Sequence, residues 1–213
     1  MNGTKSNSFE LSIWLQKNYS LLLISFLALY ILGALFAPFL MHLGYRNTGK
    51  FLYHVYGYMC HQYSHRSWFL FGIQPNYPLE STNTIASISE FLSINNLNLP
   101  ALRAFTGDEI TGYKVAICQR DVAIYASLLV FALIFQIMRK KIKRLPLSLW
   151  LLFAIVPIGI DGSWQFLSTI LPSFPQQFIH ESSPILRTIT GALFGFFSGW
   201  MLLRSIEETI SKR

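Results

Sequence analysis

The chain has 213 residues, of which 52% are hydrophobic, 15% aromatic and only 13% charged, with a formal net charge of +7. Such a composition does not suit a water-exposed surface, and the basic residues flank apolar runs instead of forming one patch, so a soluble domain and a nucleic-acid partner are both excluded. Two cysteines permit at most one intramolecular disulfide, which excludes a disulfide framework.

The polar stretch MNGTKSNSFELSIWLQK leads into a run from Asn18 to Tyr45 that contains no Asp, Glu, Lys or Arg. Crossing about 30 Å of hydrocarbon takes roughly 20 such residues, so a first span is predicted over 19–43. No small-residue cleavage motif follows it, and it reads as an uncleaved anchor. Gly33 and Pro38 are tolerated inside it because neighbouring helices re-satisfy freed backbone groups. The stretch 51–72 is apolar enough to cross, but 74–112 is too polar to return, so 51–72 is predicted as an interfacial or re-entrant helix packed on the bundle. The polar 74–112 is then an external excursion, with a short helix over Ser81 to Ile94 where Ile85, Ile88, Phe91 and Leu92 recur at helical spacing. Further spans are predicted over 115–138, 145–170 and 185–203. The expected fold is all-α, one integral membrane domain over 1–213 with about four transmembrane helices and an external helix.

Spans two and three are joined by a short loop dense in Arg139, Lys140, Lys141, Lys143 and Arg144. By the positive-inside rule that loop is cytoplasmic, which puts both termini in the cytoplasm and 44–114 outside. In the last span Gly191, Gly195 and Gly199 form a four-residue ladder that lets another backbone approach closely. The ladder packs the bundle itself, or joins a second copy or another membrane protein; the bilayer is the first partner.

On a helix over 51–72, His54, Tyr58, His61 and His65 share one stripe. Cys60 stands beside His61, and the other cysteine, Cys118, opens span two at the same external level. Three states are open to them: a disulfide in an oxidising compartment, zinc ligands together with His61 and a carboxylate, or buried thiols. Cys118, Asp121 and Tyr125 share a helical face, which makes Asp121 that carboxylate. Asp161 and Gln165 sit four apart in an apolar run after Pro157 and Gly159. An acid at that depth requires a partner or water, and Arg120 and Arg187 are the candidates. Before the last span come Glu181, Ser182 and Ser183, either serine able to cap a helix that has Pro184 in its first turn and Thr188 and Thr190 just beyond. Four segments thus bring ionisable groups to one level of the membrane.

The pieces YMCHQYSHRSWF, GYKVAICQRDVAIY, PIGIDGSWQ and ESSPILRTITGALFG, in that order, resemble a prokaryotic family of predicted membrane proteins known as domain of unknown function 2085. The resemblance runs over about 45–205. It implies that Cys60, His61, Gln62, Arg66 and Ser67 belong to a first motif, and Cys118 and Arg120 to a second. Asp161, Gly162 and Gln165 belong to a third, and Glu181, Ser182, Arg187, Thr190 and Gly191 to a fourth. Many relatives look like Cys-x-Arg-Cys where this chain has Cys118-Gln119-Arg120-Asp121, so a CxxC redox pair is absent and a carboxylate stands in place of the sulfur. The family brings no established activity and places the protein in a prokaryotic cell membrane.

Three functional readings follow. In the first, Cys60, His61, Cys118 and Asp121 hold zinc for hydrolytic chemistry on a lipid-borne substrate. Asp161 or Glu181 is then the general base, and Arg120 or Arg187 holds an anionic group. If all four ligands bind, the metal has no open position and is structural. In the second, a Cys60–Cys118 disulfide braces a non-enzymatic subunit or scaffold of a membrane assembly. In the third, Asp161 and Arg187 line a polar path in an oligomeric transporter. No phosphate-cradling glycine loop, Gly-x-Ser-x-Gly elbow or His-Glu-x-x-His helix occurs in the sequence.

Overall fold

The computed structural model describes residues 3–79, 85–92, 98–139, 141–170 and 181–212. Helix α1 (Gly3–His42) is followed by α2 (Arg46–Tyr56), a 3₁₀ turn at Ser64–Arg66 and strand β1 (Ser67–Leu70). Two short helices, α3 (Ile88–Leu92) and α4 (Leu99–Ala104), precede strands β2 (Gly107–Asp108) and β3 (Gly112–Cys118). Helices α5 (Gln119–Met138), α6 (Leu147–Trp150), α7 (Val156–Ile170) and α8 (Pro184–Ser211) complete the chain, with a π turn at Leu151–Ile155 joining α6 to α7.

Four stretches are long and apolar enough to cross a bilayer: Ile13–His42, Gln119–Met138, Leu147–Phe166 and Pro184–Ser211. The shortest have 20 residues, which at 1.5 Å per residue gives about 30 Å, the thickness of the hydrocarbon core. Their outer surfaces are apolar, with Leu29 72% and Ile160 68% exposed, as lipid requires. These four spans bear out the all-α membrane bundle.

Helix α5 is central. It packs against α1 on one side and α8 on the other, while the third span packs against α8. Alongside α1, Ser20 Oγ donates to Gln136 Oε1 at 2.6 Å, and the Tyr30 and Tyr125 rings meet at 4.6 Å. The glycine ladder faces α5: a Cβ on Gly191 would lie 2.7 Å from Arg120 O, and one on Gly199 2.7 Å from Leu128 Cδ1. At the end of the bundle that holds the chain termini, Glu207 accepts from Arg139 Nε at 2.6 Å and from the Tyr19 hydroxyl at 2.9 Å.

The opposite, distal end differs from the sequence expectation in two places. Residues 115–118 are strand, not the start of span two, and the helix begins at Gln119. They are drawn into an antiparallel sheet of order β1-β3-β2, with Ser67 opposite Cys118 and Phe69 opposite Lys114, because Tyr113, Val115, Ala116 and Ile117 bury both faces of the strand. The helix expected over 51–72 starts earlier, at Arg46, and stops at Tyr56, so His54, Tyr58, His61 and His65 do not share a helical stripe. What ends it is Gln62, held at φ +55°, whose amide donates to Tyr53 O at 2.9 Å and Ala116 O at 2.8 Å and folds the chain back into β1. The helix expected over Ser81 to Ile94 is confined to Ile88–Leu92 among the described residues; 81–84 and 93–94 lie outside them.

A methyl group on Gly195 would run into Ile124 O and Ser127 Oγ, whereas one on Gly159 would meet nothing within 4 Å. Gly195→Ala is expected to cost about 1–3 kcal/mol in detergent unfolding and Gly159→Ala to leave stability unchanged.

Candidate functional site

The β1–β3 pairing sets the loop from Met59 to Arg66 over the distal ends of α5, α7 and α8. Cys118 is the N-cap of α5: its Sγ accepts from Asp121 N at 3.4 Å, and its own N–H donates to Cys60 Sγ at 3.3 Å. The two sulfurs and an Asp121 carboxylate oxygen all lie within 4.8 Å of one another. Both cysteines are free thiols. The hydrogen bond that the Cys118 thiol donates to Cys60, helped by burial, pushes the Cys118 thiol well above its ordinary range.

His61 borders the same cavity but stays out of this trio; it is exposed, with its ring 5.6 Å from that of Tyr63. His65 is buried instead, its Nε2 3.6 Å from Glu181 Oε1 and its Nδ1 without a hydrogen-bond partner. Burial pushes the His65 imidazole down to about 3, against the pull of Glu181.

Around the thiols the charges form two linked groups. Arg120 pairs with Asp161, which also accepts from Thr190 Oγ1 at 3.4 Å. Arg66 grips both oxygens of Glu181, at 2.7 and 3.1 Å, and Arg187 pairs with the same carboxylate. Burial opposes ionisation of Glu181, but the Arg66 hydrogen bonds and the neighbouring cations outweigh it and hold the carboxyl below its usual range. The Gln165 amide lies between the groups: with its oxygen toward Arg187 it accepts from Arg187 Nε at 3.2 Å, Arg187 Nη2 at 3.0 Å and Ser182 N at 3.2 Å, and with its oxygen toward Arg120 it accepts instead from Arg120 Nη2 at 3.3 Å. Ser183 caps α8, accepting from Leu186 N at 3.2 Å. Ser67 Oγ is tied to Tyr63 O at 3.0 Å.

A cavity of about 260 Å³ opens between these groups. Cys60, Cys118 and Asp121 share its lining with Arg66, Arg120, Arg187 and Gln165, and Met59 and His61 are its exposed edge. Asp161 and Glu181 are not in the lining; each holds a guanidinium from outside it.

Two buried supports were not singled out from the sequence. Gln119 donates to Ser67 O at 3.1 Å and accepts from Arg187 Nη1 at 3.2 Å. Lys114, wholly buried, donates from Nζ to Gln62 O and Arg103 O, both at 2.7 Å, and burial lowers it to about 7. Gln119 carries a weak signal, since it lies between Cys118 and Arg120; Lys114 reads as one more topology-setting cation.

His65 takes up no proton in the fold until pH nears 3, whereas in the unfolded chain it does so near 6.5. The unfolded state therefore binds more protons across that window, and stability falls as pH drops through it. Wild-type protein in detergent is expected to lose about 1–2 kcal/mol between pH 6.5 and 5. His65→Gln, which does not titrate, should remove that slope, as followed by thermal unfolding.

Residues 102–201 match a family described as predicted membrane protein (DUF2085). The segment holds Cys118, Asp121, Arg120, Asp161, Glu181 and Arg187; the Cys60 loop precedes it. The chain is also similar to an uncharacterized protein of Methanocaldococcus jannaschii, at 28% identity over 205 residues that cover 93% of this chain and 99% of that protein. No solved structure matches the chain.

Proposed function

We propose metal-dependent hydrolysis of an anionic, lipid-borne substrate in the distal cavity. The observation that carries the reading is the convergence of Cys60 Sγ, Cys118 Sγ and an Asp121 oxygen within 4.8 Å. Two thiolates and a carboxylate suit zinc, and with His61 standing apart the fourth position is left to water. The metal, when bound, lowers the pKa of that water to about 7 and supplies the nucleophile.

The residues around it divide the remaining work. Arg66, Arg120 and Arg187 border the cavity and offer positive charge to an anionic group as charge builds in the transition state. Asp161 and Glu181, the acid–base candidates of the sequence, act here as positioning residues that fix those guanidiniums. The basic loop 139–144 lies with the termini at the other end of the bundle, so the cavity faces the non-cytoplasmic side of a prokaryotic cell membrane and both termini are cytoplasmic.

A second reading rests on the same thiols. The two sulfurs, within 4.8 Å of each other, also suit a disulfide in an oxidising compartment, which would make the chain a braced scaffold.

Protein purified without chelators is expected to carry one zinc per chain by elemental analysis. Cys118→Ser should lose it, Asp121→Asn should weaken it, and His61→Ala should keep it. Because ligating thiols must shed protons to bind, zinc affinity should rise with pH. Absence of metal, or a non-reducing mass that shows a Cys60–Cys118 bond, would sink the proposal.

A further inference from the structure

Helix α2 has two unlike faces. Gly49, Tyr53 and Tyr56 are buried on one, against α1: a Cβ on Gly49 would lie 2.8 Å from Met41 Sδ, and the Tyr56 hydroxyl donates to Tyr30 O at 2.7 Å. Tyr30 lies about 18 Å along α1 from its distal end and meets Tyr125 of the second span, so the side chain of Tyr56 reaches well below the membrane end of α1. The other face and the turn after it carry Phe51, Val55, Tyr58 and Met59, at offsets of four, seven and eight. All are exposed, Tyr58 by 80% and Met59 by 68%.

This apolar stripe continues the exposed surface of α1. The chain leaves α1 at His42 and enters α2 at Arg46 after only three intervening residues, Leu43 and Tyr45 among them exposed, a link that spans about 14 Å at most. Its start is therefore held at the membrane boundary. Arg46 and Lys50, both exposed, sit in the first turns of α2, where lipid head groups lie. An apolar stripe with cations at its upper end fits the outer leaflet. Met59 is at once the end of the stripe and part of the cavity lining, next to Cys60.

We infer that the Tyr58–Met59 turn is a lateral portal: the head group of an anionic lipid enters the cavity past it, toward Arg66, Arg120 and Arg187, while the chains stay in the leaflet against Phe51 and Val55. The substrate class rests on the hydrolytic reading above; the bilayer contact does not. A lipid whose charged group is a phosphate or a carboxylate meets the same requirement.

The test places a benzophenone amino acid at Met59 of the full chain in vesicles of equal phosphatidylglycerol and phosphatidylcholine. Leu29 serves as a lipid-facing control and Glu109, exposed in the β2–β3 turn, as an aqueous one. After irradiation, intact mass should show lipid adducts at position 59, with phosphatidylglycerol favoured about fivefold, the discrimination of roughly one well-placed cation. Leu29 should give both lipids equally and Glu109 neither. Zinc content is measured on the same samples. No adduct at 59, equal capture of the two lipids, or capture of a second protein would overturn the portal even with zinc bound. Selective adducts on zinc-free protein would uphold the portal and remove the metal reading.

Discussion

What the distal site depends on is the cost of an unpaired charge beside hydrocarbon. Asp161 lies in the third span with its side chain only 6% exposed, and at that depth an uncompensated carboxylate is worth several kcal/mol of instability. The carboxylate is answered by Arg120 of α5 and by Thr190 of α8, so one acid ties three spans together. Glu181 does the same for the segment entering α8: Arg66 reaches it from the loop above and Arg187 from α8 itself. Because each acid is held by guanidiniums from other segments, neither set of helices can shift without leaving a charge alone.

That constraint also positions the thiols. Arg120 and Asp121 follow Cys118 in the first turn of α5, so anchoring Arg120 to Asp161 fixes the helix end that presents Cys118 and Asp121 to the cavity. Cys60 arrives from the other direction, on a loop whose backbone is held by the Gln62 amide and by Lys114. The two carbonyls that accept from Lys114, Gln62 O and Arg103 O, fix the turn on which Cys60 rides. The sheet satisfies backbone groups outside the bundle, where the chain leaves helical geometry, as a membrane protein requires.

The spans were legible because lipid imposes a length and a polarity that 20-residue windows reveal, and the rarity of intramembrane acids marked Asp161 as needing Arg120 or Arg187; only the fold selects Arg120. The depth of Cys118, Arg120, Gln165 and Arg187 was legible for the same reason. Strand β3 was not: Tyr113 to Ile117 is as apolar as a helix start, and only its pairing with Ser67–Leu70, some 50 residues earlier, distinguishes the two. The histidine stripe failed for a related cause. Periodicity predicts where a helix puts its side chains, but the hydrogen bonds of Gln62 that end the helix are made to residues far away in the chain.

The ion pair of Arg120 with Asp161 is what ties the second span to the third, and a double-mutant cycle in detergent tests it most directly. Arg120→Met and Asp161→Leu should each cost about 3–5 kcal/mol of unfolding free energy, since either leaves a charge buried alone, while the double variant should lose less than either single one. Losses that simply add would mean that the two charges are independent and that something other than their pairing brings α5 and α7 together.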